Sequence, residues 1–115
     1  RSISSVANLT RQDGQEFMAL NGGPRFQFTE AISLLVKCDT QEEVDGYWNQ
    51  LLAGGGTPQQ CGWLKDRFGL SWQIIPNALG ELLGAREPDR ARRVMEAMLK
   101  MTKIEVAKLQ EAYNG

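Results

Sequence analysis

The chain has 115 residues, 42% apolar and 23% charged, which are the proportions of one soluble globular domain and not of a disordered segment. Thirteen basic against fourteen acidic side chains leave a net charge of −1, with no basic excess to hold nucleic acid or an anionic membrane. Histidine is absent, which excludes Ser-His-Asp and Cys-His catalysis within this chain and every histidine-bearing zinc site.

The opening stretch Ile3 to Thr10 alternates loosely and predicts a strand. Asp13-Gly14 is a hairpin turn signal, so Glu16 to Leu20 returns as the partner strand. Asn21-Gly22-Gly23-Pro24 stops it as a loop or module boundary. Ala31 to Cys38 is the strongest strand candidate, with Ile32, Leu34 and Val36 on one side and Ala31, Ser33 and Leu35 on the other. Thr40-Gln41-Glu42-Glu43 is a capping box, and Val44, Tyr47, Trp48, Leu51 and Leu52 fall on one helical face behind it. The spacing predicts a helix over 41–53, stopped by Gly54-Gly55-Gly56. Thr57 to Lys65 reads as one strand with irregular edges, Asp66 to Gly69 as a turn, and Leu70 to Ile75 as a strand closed by Pro76. Asn77 to Leu83 suits a short helix. Pro88 suits the first turn of a longer one, in which Val94, Met95, Met98 and Met101 repeat at helical spacing. Thr102 or Glu105 starts a last helix through Tyr113.

No apolar run reaches the length of a membrane span, and no basic-then-apolar start resembles a secretion signal. Cys38 and Cys61 are too few for a disulfide scaffold and fit a reducing cytoplasm. Gly54-Gly55-Gly56 follows a helix and lacks the Lys-Ser/Thr of a phosphate loop, so it reads as a helix stop. Cys61 has no histidine to make it a thiolate, and Lys65 or Arg67 supplies only a field, so packing is its default role. Trp48 belongs to the core face of its helix. Trp72 and Gln73 point to opposite sides of one strand, so Trp72 against a helix layer turns Gln73 outward. Trp63 is the best tryptophan for lining a pocket. Glu30 and Asp66 are the one carboxylate pair with a plausible shared setting, but nothing in the sequence joins them. Arg90, Arg92 and Arg93 are offset by Glu87, Asp89 and Glu96 and read as a solvated face.

Several stretches carry a family resemblance: Leu20-Asn21-Gly22-Gly23-Pro24, Glu30-Ala31-Ile32-Ser33, Glu42-Glu43-Val44-Asp45 with Tyr47-Trp48, and Cys61 through Gly69. Ser71-Trp72-Gln73-Ile74-Ile75-Pro76 and Val94 through Met101 continue it. Together they resemble the PhnB-like proteins, also labelled 3-demethylubiquinone-9 3-methyltransferase-like, of the vicinal oxygen chelate (glyoxalase/bleomycin-resistance) superfamily. The resemblance implies an α+β fold of paired βαβββ modules curling around a cleft, in a homodimer. Under it, residues 1–24 are the end of a first module truncated at its N-terminus, 25–76 the second module, and 77–115 a helical C-terminal tail. The superfamily's metal ligands would fall at Ala31 and Gln73. Alanine offers no donor and an amide oxygen is uncharged, so no metal and no cofactor is expected.

Three classes of function stand open. They are a module that binds a small organic molecule in a cleft, an enzyme (methyl transfer as labelled, or metal-assisted isomerase or lyase chemistry), and a structural dimer with a vestigial cleft. The residues favour the first, since fold alone does not choose. Asn21, Ser33, Trp63 and Gln73 are the expected ligand-binding residues. Ala31, Ser33 and Leu35 of one strand and Ser71, Gln73 and Ile75 of another are expected to line one cavity.

Overall fold

The structure is a computed structural model that describes residues 6–10, 14, 16–20 and 26–115. Strands β1 (Val6–Thr10) and β2 (Glu16–Leu20) form an antiparallel pair, in register from Val6 opposite Leu20 to Thr10 opposite Glu16. The expected hairpin is therefore present; its turn residue Asp13 and the expected loop Asn21–Pro24 lie outside the described residues.

Strand β3 spans Ser33–Cys38, two residues shorter than its sequence pattern. Glu30 and Ala31 lie in a turn instead, where Thr29 Oγ1 accepts from the Ala31 N–H at 3.2 Å. Helix α1 (Gln41–Leu52) follows, and its capping box is complete. Thr40 Oγ1 accepts from the Glu43 N–H at 3.1 Å, and Glu43 Oε1 accepts from the N–H groups of Asp39 (2.8 Å) and Thr40 (3.2 Å). The stretch read as one strand, Thr57 to Lys65, is two: β4 (Thr57–Pro58) and β5 (Trp63–Lys65). They pair with each other, Thr57 opposite Lys65, because the chain doubles back through residues 59–62. Strand β6 (Ser71–Pro76) completes a sheet of order β3-β6-β5-β4. The β3–β6 pair is parallel and the others antiparallel, the arrangement that a βαβββ module requires. Its right-hand neighbour in sequence is a helical tail: α2 (Asn77–Leu83), α3 (Pro88–Leu99) and α4 (Val106–Asn114).

Two apolar clusters hold these layers. In the first, Val44 and Trp48 of α1 pack on Cys38, Leu64 and Ile74 of the sheet, with Val36, Tyr47, Leu51, Leu52 and Trp72 around them. All five residues of the expected α1 stripe take part. In the second, Leu79, Val94, Met101, Ile104 and Leu109 unite the tail, joined by Ile75 from β6. Met95 departs from expectation and is 40% exposed; the buried stripe of α3 runs through Val94, Ala97 and Met98 to Met101 beyond its end.

The tail is fastened to the module by backbone groups. The Cys61 and Gly62 N–H groups donate to the carbonyls of Met101 and Thr102, both at 2.8 Å. Aiming both donors at the tail requires left-handed backbone at both residues, φ 60° at Cys61 and 83° at Gly62. On the other side the Gln41 side chain behaves as a piece of backbone. Its Nε2 donates to Ile104 O (3.0 Å) and Asp45 Oδ1 (2.9 Å), and its Oε1 accepts from the Val106 N–H (2.7 Å). Lys103 pairs with the same Asp45 carboxylate at 2.8 Å, and with Gln41 it holds that group below its ordinary pKa. Arg93, expected on a solvated face, instead donates to the carbonyls of Ala112 (2.9 Å) and Tyr113 (3.0 Å), closing the end of α4. Arg90 and Arg92 do pair with Glu87 and Asp89 on the surface.

Trp48 is 6% exposed in the first cluster, so Trp48→Ala should cost about 3–5 kcal/mol in denaturant unfolding, as large aromatic deletions in cores do. A Cβ on Gly62 would lie 2.9 Å from Ile75 Cδ1 and 3.0 Å from Ile104 Cγ1. Gly62→Ala should therefore lower stability by about 1–3 kcal/mol. Cys61→Gly, which relieves the neighbouring left-handed residue, should stay within about 1 kcal/mol of the parent in the same measurement.

Candidate functional site

The sheet face turned away from α1 is built from β6 and its two partners. Residues alternate across a strand, so Trp72 and Ile74 face α1 while Ser71, Gln73 and Ile75 face the other way. Register then sets their neighbours. Ser71 lies between Ser33 of β3 and Lys65 of β5, and Gln73 lies between Leu35 and Trp63. The face thus presents two rows, Ser33-Ser71-Lys65 and Leu35-Gln73-Trp63, about 7 Å apart along the strands. Ile75, next along β6, packs into the tail cluster, so the helices close that end of the face.

The polar groups on the rows are partly engaged. Gln73 Nε2 donates to Ser33 Oγ at 2.9 Å, which fixes the amide and leaves Gln73 Oε1 without a donor among the described residues. Lys65 Nζ lies 2.8 Å from Glu30 Oε2, the carboxylate coming from the turn before β3. That contact, with the backbone N–H of Glu30 itself, holds Glu30 below the ordinary carboxylate range. Ser71 is fully buried, yet its Oγ finds no hydrogen-bond partner among the described residues. Such a group is costly unless something satisfies it. Ser33, Trp63 and Gln73 are half-buried and Leu35 is 43% exposed, so the face remains open to a ligand.

Three of the four expected ligand-binding residues, Ser33, Trp63 and Gln73, therefore share one surface, with Ser33 and Gln73 hydrogen-bonded to each other. Asn21 lies outside the described residues. Two expected lining residues do not join: Ala31 sits in the turn before β3, and Ile75 is taken by the tail. Lys65 and its carboxylate were not anticipated on the face. The sequence signal for Lys65 is its spacing of two from Trp63, which puts both on one face of β5. Glu30 and Asp66 do not form a pair. Asp66 Oδ1 accepts from the N–H groups of Phe68 (2.9 Å) and Leu70 (3.0 Å), and Oδ2 from Trp72 Nε1 (2.9 Å), so it orders the turn beneath the opposite face.

The other candidates resolve as structure. Gly56 lies in the α1 stop, where a Cβ would come within 2.8 Å of Leu52 Cα and of Lys65 O. No hydrogen bond joins the Cys61 thiol to Lys65 or Arg67; Lys65 is held by Glu30, and Arg67 stacks over the Phe68 ring at 4.6 Å. Burial, with Glu43 and Asp39 nearby, pushes the Cys38 thiol up to about 11, so it is inert at neutral pH. Two shallow hollows on the tail, one lined by Lys100, Thr102 and Glu111 and one by Asp45, Val106 and Gln110, lie away from the sheet face.

The resemblance described above puts the donors of a divalent metal at Ala31 and Gln73. The first has none, and the second offers one uncharged oxygen. Among the described residues, no group of three or more His, Cys, Asp or Glu side chains is placed to hold a cation. These residues do not fit a metal centre. Nor is any helix among the described residues long and apolar enough to cross a membrane.

A family model described as 3-demethylubiquinone-9 3-methyltransferase matches residues 5–75. Among solved structures, the chain is similar to the PhnB protein from Bacillus cereus, itself named for 3-demethylubiquinone-9 3-methyltransferase. The two are 27% identical, with 63% of this chain and 78% of that one covered and a TM-score of 0.51. No curated protein matches. Residues 5–75 take in α1, the capping box, the doubled-back loop and every member of both rows, and on that span the chain belongs to the 3-demethylubiquinone-9 3-methyltransferase family of PhnB-like proteins.

Proposed function

We propose that this chain is a binding protein of the vicinal oxygen chelate superfamily, which holds a small organic molecule on the open face of its sheet without a metal. The observation that carries this reading is the Gln73–Ser33 hydrogen bond on the open face, with Trp63 the cross-strand neighbour of Gln73. It fixes one amide oxygen as an acceptor beside a flat apolar surface, the pairing of few polar groups with aromatic lining that small-molecule sites use. Turnover is favoured less. Glu30, the carboxylate at the face, is a weakened base because Lys65 holds its charge. Methyl transfer is what the family's name describes.

The active form is a homodimer in the cytoplasm. β3 pairs only with β6 among the described residues, leaving its outer edge open, and Ile32, in the bend just before it, is 70% exposed. An apolar open edge is a surface that a second copy covers. The free thiols of Cys38 and Cys61 suit a reducing compartment.

A library of small aromatic and aliphatic compounds, screened by thermal shift with light scattering for mass, tests both parts. Stabilisation by at least one compound is expected, lost in Gln73→Leu and in Trp63→Ala, from a particle of twice the chain mass. A monomer that no compound stabilises would leave the structural reading in its place.

A further inference from the structure

The row Ser33-Ser71-Lys65 differs in chemistry from the row beside it. Ser33 Oγ already accepts from Gln73, so its own hydrogen is free to donate. Ser71 Oγ is buried and unpartnered, flanked in register by Ser33 and Lys65. Lys65 carries three N–H donors, and Glu30 accepts from it at 2.8 Å. Two hydroxyl hydrogens and an ammonium thus belong to one row across three neighbouring strands, and of the three only the ammonium has found an acceptor, the carboxylate of Glu30. Glu30 is held there weakly. It is more than half exposed, sits in a turn, and makes the kind of surface ion pair that contributes little.

We infer that the row Ser33-Ser71-Lys65 is a seat for the carboxylate of a small organic acid, whose Lys65 end the chain's own Glu30 occupies until a ligand displaces it. This rests on the binding reading above and adds the chemical class of the ligand. An acceptor-only group with two oxygens suits two adjacent donor positions, Ser71 and Lys65, and would satisfy the buried hydroxyl that Glu30 leaves unpartnered. The ligand's apolar body then lies over Leu35 and Trp63 in the second row, with Gln73 Oε1 open to a hydroxyl or amide hydrogen. A phosphate is disfavoured, since Lys65 is the one cation of the two rows.

The test uses the full chain at low salt, with benzoate and acetate as acids and benzamide and acetamide as their neutral counterparts, followed by ligand-observed NMR and calorimetry. The acids should bind more tightly than the amides. Glu30→Gln should strengthen the acids about tenfold and leave the amides unchanged, because it removes the internal competitor. Lys65→Met and Ser71→Ala should weaken the acids selectively. Glu30→Gln keeps the proposal testable if either of those fails to fold, because its side chain is exposed. Equal affinity for acids and amides, or an acid affinity that Glu30→Gln leaves unchanged or lowers, overturns the carboxylate seat. If acids and amides bind alike and both are lost in Trp63→Ala, the binding face stands without the seat. If no probe binds and no library compound stabilises the chain, the seat and the binding face both fall.

Discussion

β6 is hydrogen-bonded along both edges, parallel to β3 and antiparallel to β5, and the rest of the molecule is arranged by that double pairing. A parallel partner demands a crossover, which α1 supplies, and the crossover helix must lie on one face of the sheet. Once Trp72 and Ile74 are committed to α1, alternation sends Ser71 and Gln73 to the opposite face without further choice. The core and the candidate site are thus two readings of the same six residues. A slip of one residue in the β3–β6 register would bury Gln73 under Trp48's helix and expose Ile74.

The helical tail is tied to the module on both sides of the sheet end. Gln41 reaches it from the start of α1, and the Cys61 and Gly62 amides reach it from the turn before β5. Each of these contacts satisfies backbone groups that the segment 101–106 cannot satisfy by itself, since that segment lies between two helices. With Ile75 drawn into the tail's core, the helices form the closed end of the open sheet face and leave Gln73 near its boundary.

Much of this was legible in the residues. The Thr40–Glu43 box, the stripe of α1 and the alternation of Trp72 with Gln73 are local signals, and local geometry decides them. What escaped was non-local. The break of 57–65 into two strands depends on the Cys61-Gly62 amides finding carbonyls forty residues later, which no local pattern announces. Glu30 meets Lys65 only through the register of β5, which no local pattern fixes. Arg93 leaves the expected solvated face for the same reason, because its partners are carbonyls at the far end of another helix.

Alternation along β6 also has an evolutionary consequence. The residues that would contact a ligand and the residues that meet α1 occupy alternate positions of the same strands, so substitutions among Ser33, Lys65, Ser71 and Gln73 leave Val44, Trp48 and Ile74 in place. A lineage built on this module can exchange its ligand preference a residue at a time while its fold persists. Members that share a recognisable chain, and even a family name taken from one reaction, are free to diverge in what they hold.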